Sequence, residues 1–396
     1  MDYGFDFVAD RIVKDKASPA FSRHTAEPYT PAWRQFVNHW PNTVPVELHE
    51  HCYNHSYPMR LHSTTDGWPS GAYYTVGIGF FNFGVDYFSL MSDKVLDALR
   101  QRTLTVLFYY HEGDNPAAIK RRLDNLCDQN YIPINSYRFV SGNTAADNIK
   151  GFVYFPDHEL LYWHRNCAAL PTPVHNNLRD YNFTVLSRTH KWWRATVMTD
   201  LYQQGLLTNS YWSYGIDHTT NESIEDNPIE IDTLNLRSSI ENFLSNAPYT
   251  CDTLTSDQHN DHHITEISHY ENSYCSIVLE THFDADGSGG AFLTEKIFKA
   301  IKHGHPFVIV GCAGSLAALR ELGYRTFDHA IDNSYDTIAN NTERWIQCCN
   351  TVKQLKQQNL HTWFESCRAD ILHNQQLFAT DKYNRLNTLL KRLQNS

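Results

Sequence analysis

The chain has 396 residues, 41% hydrophobic and 13% aromatic, with a formal net charge of -11 and a pI near 6.0. That length exceeds what one hydrophobic core usually serves, so two domains are expected, and the apolar content excludes a disordered or fibrous chain. The acidic balance removes a global electrostatic drive toward nucleic-acid phosphates, and no run of about 18 apolar residues marks a membrane span.

From Met1 to Asp15 there are four acidic residues and no apolar core of a secretory leader, so a cytoplasmic protein is expected. Pro28, Pro31, Pro41, Pro45, Pro58 and Pro69 interrupt most candidate helices, and 1–70 reads as an irregular extension packed on the first domain. A strand from Tyr73 precedes an amphipathic helix capped by Ser92 or Asp93, and the β-prone run Leu104-Thr-Val-Leu-Phe-Tyr-Tyr suits a buried parallel strand. His111-Glu-Gly-Asp-Asn-Pro then leads into a helix over 117–130. Strands at Tyr137-Arg-Phe-Val and Gly151-Phe-Val-Tyr-Phe follow. Strands alternating with helices imply a parallel, doubly wound sheet, whose ligands sit beyond the carboxyl ends of the strands. That draws attention to the loops at His111–Asn115 and Ser141–Thr144.

A linker near 165–180, marked by Pro171 and Pro173, separates a first domain (71–175) from a second (180–345). The second opens with a strand from Tyr181 and a helix over 191–204. A polar excursion follows, and then a βαβα unit runs from Cys275 to Leu322. Residues 346–396 are helical by spacing. No internal repeat is evident.

The strongest chemical signal lies in that βαβα unit. Leu279-Glu-Thr ends a strand, Gly287, Gly289 and Gly290 follow, and Phe292-Leu-Thr-Glu-Lys opens a helix. Glycines let a backbone approach a ligand, and a helix N-terminus offers free N–H groups at its positive end. Lys296 adds a mobile cation, and Glu280 can accept hydrogen bonds from sugar or ribose hydroxyls. The same residue types also describe a plain helix cap with a solvated Glu–Lys pair.

Ile277-Val-Leu-Glu-Thr, with Phe292-Leu-Thr-Glu-Lys-Ile-Phe-Lys-Ala-Ile-Lys-His-Gly-His-Pro-Phe-Val-Ile-Val-Gly, is similar to the donor-binding segment of α-1,3-fucosyltransferases. Upstream, Leu186-Ser-Arg-Thr-His-Lys resembles the segment whose basic residue meets the donor diphosphate. Gly314-Ser-Leu-Ala-Ala-Leu-Arg and Ile331-Asp-Asn-Ser-Tyr-Asp resemble glycosyltransferase-like proteins of phages and marine microbes. The resemblance covers roughly 180–345. It implies a GT-B architecture, two Rossmann-like domains facing across a cleft, in a microbe or a virus-infected host cell. It also implies nucleotide-sugar donor contacts from Glu280, Glu295, Lys296 and Arg188, and Lys191, Gly289, Gly290 and Thr294 beside them complete the candidate donor site. Glu-Thr-His stands where those enzymes have Glu-Asn-Ser, and an inserted loop precedes Thr-Glu-Lys, so the donor sugar is left open.

Transfer with inversion needs a base on the acceptor side, and Glu112, then Asp114, are the candidates; either can instead cap the helix near Pro116. Cationic side chains would hold the leaving diphosphate, so no metal or other cofactor is required. A saccharide acceptor is favoured over a hydroxymethylated DNA base, since Lys120, Arg121 and Arg122 form the only obvious basic cluster in the acceptor half and read as a solvated helix face. The alternative outside enzymology is a glycan- or nucleotide-sugar-binding module in which Trp192, Trp193 and Trp212 stack on sugars.

Other motifs are weaker. Asp284-Ala-Asp-Gly-Ser-Gly-Gly-Ala-Phe-Leu-Thr-Glu matches a calcium-loop pattern, but a strand rather than a helix enters it; Asp284 and Asp286 also form an Asp-x-Asp that belongs on a different architecture. His259, His262 and His263, like His49, His51 and His55, read as surface or structural histidines, and the nine cysteines, including adjacent Cys348 and Cys349, as packed thiols. Neither Gly-x-Ser-x-Gly nor a complete Gly-x-Gly-x-x-Gly occurs.

Overall fold

A computed structural model describes residues 5–9, 59–64, 67–78, 81–166, 172–217, 223–251, 266–284, 289–380 and 383–395. The protein is α/β, with two parallel sheets in two compact units, one formed by 1–157 with 382–396 and the other by 158–381.

In the first unit, β1 (Phe5–Ala9), β2 (Met59–Ser63), β3 (Ala72–Ile78), β4 (Leu104–Tyr110), β5 (Tyr137–Ser141) and β6 (Phe152–Tyr154) form a sheet in the order β2-β1-β3-β4-β5-β6. Every pairing is parallel. Such strands are covered on both faces, which is why β4 reads as an unbroken apolar run. Helix α1 (Asp93–Arg100) buries Val95, Leu96, Ala98 and Leu99. Helix α2 (Pro116–Gln129) buries Ile119, Leu123 and Leu126 at helical spacing.

Two features depart from the sequence reading. The N-terminal seventy residues are not all irregular: β1 lies between β2 and β3, and Asp6 Oδ1 meets His62 Nε2 at 2.7 Å. Each strand has only five residues and no flanking helix pattern, too little periodicity to register. The C-terminal segment does not stay together either. The helix Tyr383–Asn395 belongs to the first unit, where Leu386, Leu389, Leu390 and Leu393 are buried and the Leu393 carbonyl accepts from Tyr73 Oη at 2.8 Å.

The boundary falls between Asp157 and His158, in the first turn of α3 (Asp157–Asn166), ahead of the expected linker. Beyond it, the second unit contains β7 (Tyr181–Thr189), α4 (Trp192–Gln203), β8 (Tyr211–Asp217), α5 (Arg237–Ser245), α6 (Ile267–Glu271) and β9 (Ser273–Leu279). Next come α7 (Glu295–Lys302), β10 (Phe307–Val310), α8 (Ser315–Glu321), α9 (Asn341–Lys356) and α10 (Leu360–Ala379). The sheet order is β10-β9-β7-β8. All seven residues of β9 are buried, as are all four of β10. Cys348 and Cys349 are buried on α9, where loss of solvent pushes both thiols up, in keeping with packing rather than redox chemistry.

The register of β7 on β8 shifts between Ser187 and Thr189, where Gly215 and Ile216 of β8 stand opposite the single residue Arg188, a bulge in β8. Gly215 lies opposite, and a Cβ there would run into the Arg188 carbonyl. Gly215→Ala is therefore expected to cost about 1–3 kcal/mol through overpacking. Thermal denaturation checks this: an unchanged Tm would show that β8 is laid differently against Arg188.

Candidate functional site

Across the second sheet the chain reverses direction between β7 and β9: β8 is added on one side of β7, β9 and β10 on the other. A reversal of this kind opens a crevice beyond the carboxyl ends of the two strands. The donor-site residues singled out from sequence lie on the segments that leave these strand ends.

Glu280 follows β9, and its N–H donates to the Val310 carbonyl at 3.0 Å, carrying the ladder one residue past the strand. Its side chain is fully buried. Oε1 accepts from the Thr294 N–H (3.3 Å), and Oε2 accepts from the Thr294 hydroxyl (2.5 Å) and the Thr281 N–H (3.2 Å). Burial raises the Glu280 carboxyl above the usual carboxylate range, and Lys296 and the Thr294 hydrogen bonds pull against that rise. Thr294 is the N-cap of α7, yet its hydroxyl turns to Glu280 instead of capping its own helix.

Lys296, the second residue of α7, donates to Thr281 Oγ1 (3.2 Å), Thr294 Oγ1 (3.1 Å) and Glu295 Oε1 (2.9 Å). Glu295 Oε2 lies 3.5 Å from His158 Nδ1. Burial disfavours the charged form of Glu295, but Lys296, His158 and Lys299 together outweigh it and hold the carboxyl well below its ordinary range. Gly289 adopts φ +67, a left-handed conformation that favours glycine, and Gly290 beside it is buried.

Arg188 and Lys191 lie at the end of β7 and at the N-cap of α4, and so share the strand-end edge with Glu280. Between them and Glu280 stands a residue that sequence reading missed. Arg194, buried on α4, donates from Nε and Nη2 to the Glu280 carbonyl (3.2 and 2.6 Å) and from Nη1 to the Thr189 carbonyl (3.3 Å). One planar guanidinium thus joins the ends of β7 and β9.

Arg344 was missed as well. Buried on α9, it donates to the carbonyls of Phe283 (2.5 Å), Gly311 (3.0 Å) and Ile338 (2.8 Å) and to Asn341 Oδ1 (2.6 Å), with its guanidinium 4.5 Å from the Phe283 ring centroid. The loops after β9 and β10 hang from it. Asp336, within the Ile331-Asp-Asn-Ser-Tyr-Asp segment, accepts from the N–H groups of Leu316 (2.8 Å) and Ala317 (3.0 Å) and so fills the start of α8.

In the first unit, Glu112 and Asp114 follow β4, one strand beyond the reversal, which here lies between β1 and β3. Asn115, not Asp114, caps α2, accepting from the N–H groups of Ala117 (3.0 Å) and Ala118 (3.2 Å). Asp114 accepts the Tyr110 hydroxyl, whose ionisation burial and then Asp114 and Glu112 push far up. Glu112 Oε1 instead lies 3.4 Å from His111 Nε2. The loop backbone is tied to the end of β5: Gly142 N–H donates to the Glu112 carbonyl (3.1 Å), and Asn143 Nδ2 to that of Gly113 (2.9 Å).

Trp193 is buried and stacked on Phe283 at 5.1 Å, which makes it core, while Trp212 packs against Tyr249 at 4.8 Å. In the calcium-loop pattern a strand, β9, does precede the loop, and Glu295 is engaged by Lys296 and His158. Asp286, Gly287 and Ser288 lie outside the described residues, as do His49, His51, His55, His259, His262 and His263.

No family model and no curated protein matches the chain. Among solved structures, it is similar to a crystal structure of the DNA-modifying enzyme beta-glucosyltransferase, determined in the presence and absence of the substrate uridine diphosphoglucose. The two are 10% identical, with 95% of this chain and 98% of that chain covered and a TM-score of 0.36. So loose a superposition does not bear on function.

Arg194→Lys keeps the charge but loses the fork. Its expected cost is about 1.5–3 kcal/mol, that of charge-assisted hydrogen bonds to buried carbonyls. A denaturant midpoint equal to wild type would show that the strand ends are held by something else.

Proposed function

We propose that this protein is a glycosyltransferase of GT-B type, which binds a nucleotide-sugar in its second unit and moves the sugar to an acceptor hydroxyl. The observation that carries the reading is the gathering of Glu280, Thr294, Glu295 and Lys296 at the strand-end reversal of the second sheet, on the N-terminus of α7. Carboxylates there accept hydrogen bonds from sugar or ribose hydroxyls. An ammonium and uncapped helix N–H groups suit a diphosphate. The likeness of this segment to α-1,3-fucosyltransferase donor sites supports the same roles and leaves the sugar open.

In this reading Arg188, Lys191 and Lys296 stabilise the leaving diphosphate, Gly289 and Gly290 let the backbone approach it, and the reaction needs no metal. The base is Glu112, the first carboxylate past β4, with Asp114, which accepts the Tyr110 hydroxyl, as the second candidate. Glu112 takes the acceptor hydroxyl proton as that oxygen attacks the anomeric carbon. The bond from that carbon to the diphosphate oxygen breaks, with inversion. The burial of Trp193 weighs against a stacking module without catalysis.

A saccharide is the favoured acceptor. A hydroxymethylated DNA base is the second reading, and one observation favours it: Lys and Arg balance Asp and Glu in the first unit, so the net charge of -11 resides in the second and does not repel DNA from the first. Against it, Lys120 on α2 is paired with Asp124 at 2.7 Å.

Lys296→Ala and Arg188→Ala should each weaken nucleoside diphosphate binding about 10- to 100-fold, the loss of one charge-assisted contact. Calorimetric titration decides, and unchanged affinity in both variants would sink the donor site. Glu112→Gln should cut donor hydrolysis and transfer by about 100-fold or more at unaltered donor affinity. Turnover in wild type should survive excess EDTA. The acceptor is settled by a panel of nucleotide-sugars offered with glycans and with hydroxymethylcytosine DNA; transfer to the DNA alone, falling steeply with salt, overturns the saccharide preference.

A further inference from the structure

Lys296 has three N–H donors, and all three reach acceptors inside the site: Thr281, Thr294 and Glu295. A diphosphate therefore gains this ammonium only by exchange. The acceptor it competes with most directly is Glu295, because both are anions drawn to one cation. As the diphosphate takes a share of Lys296, Glu295 is left as a poorly solvated carboxylate, 13% exposed, next to new negative charge. Leaving such a group uncompensated is costly.

The opposite face of Glu295 meets an imidazole. His158, at the start of α3, has Nδ1 3.5 Å from Glu295 Oε2, and its ring is fixed edge-on against Phe292 with centroids 5.3 Å apart. Among the described residues, the charged and titratable groups facing this pair include Lys296 and Lys299 on α7 and His282, whose ring shares Phe292 at 5.5 Å. Glu159, next along α3, accepts the Tyr324 hydroxyl at 2.5 Å. An imidazole titrates near neutrality, so it can supply the missing positive charge without a large rearrangement.

We propose that His158 is a positioning residue of the donor site, which holds Glu295 and takes up a proton from solvent when a diphosphate draws Lys296 away. This rests on the donor reading above. Bound diphosphate favours protonated His158, so protonated His158 favours bound diphosphate. Affinity rises as pH falls through the range where His158 titrates, by up to about tenfold per pH unit for one linked proton.

The test is calorimetric titration of the full chain with ADP, CDP, GDP and UDP between pH 6 and pH 8, in buffers of different ionisation enthalpy, which reads the protons taken up per nucleotide. Wild type should take up a fraction of a proton, approaching one, beyond what the nucleotide's own phosphate contributes. His158→Asn and His158→Gln should both abolish that excess and flatten the pH dependence, with Gln, which keeps an N–H for Glu295, retaining more affinity at pH 8. Binding by wild type without excess uptake, or uptake that persists in either folded variant, overturns the role of His158 and leaves the donor site standing. Failure of wild type to bind any of the four nucleotides overturns the donor reading and this proposal with it.

Discussion

The guanidinium of Arg194 holds the candidate site together. Parallel strands end in unpaired carbonyls. At a reversal of chain direction the two neighbouring strand ends part, each leading into a loop of its own. Arg194 closes that gap with three N–H groups in one plane, on the carbonyls of Thr189 and Glu280. A cation buried for this purpose loses its hydration, a cost offset by the number and geometry of its acceptors. Since Glu280 is set by its carbonyl, its carboxylate meets Thr294 and Thr281, and through Thr294 the first turn of α7. Arg344 applies the same device one layer out, on the loops after β9 and β10.

Two arginines spent on main-chain carbonyls explain how an irregular edge stays ordered. Loops beyond strand ends carry backbone groups that no ladder satisfies. Water does so at the surface, but a ligand crevice cannot rely on water that the ligand must displace. Gly311 adds a steric condition: a Cβ there would come within 3.2 Å of Glu280 Cβ, so the β10 loop passes close over the strand end only because that residue lacks a side chain.

The parts of this arrangement legible in sequence are those with local signals. The apolar runs of β4, β9 and β10 announced buried parallel strands, and glycines before Thr-Glu-Lys announced a helix start built for approach. β1 and β2 were illegible because five residues are too few to show a period. Arg194 and Arg344 were illegible for a different reason. An arginine on a helix is ordinarily solvated, and only the tertiary fold shows that its carbonyl partners lie 86 or 33 residues away. For Asp114 the sequence left candidate base and helix cap both open, and one local fact removes the cap: Asn115, nearer the first turn of α2, accepts its N–H groups, while Asp114 accepts from Tyr110.

The electrostatics of the site are local in the same sense. The second unit carries the chain's net negative charge, and a diphosphate is itself an anion, so the unit as a whole offers no steering toward it. Beyond about a Debye length that field is screened, whereas groups within a few ångströms in a poorly hydrated crevice are not. What counts at the edge is therefore the immediate set: Lys296 and the N-terminus of α7 against Glu280 and Glu295, with Arg188 and Lys191 at the end of the neighbouring strand. Burial raises the Glu280 carboxyl above the usual carboxylate range, and Lys296 and Lys299, with the imidazole of His158 beside them, hold Glu295 well below it. Two carboxylates of one residue type are thus pushed apart in acidity by their surroundings, the first by loss of solvent and the second by the cations beside it.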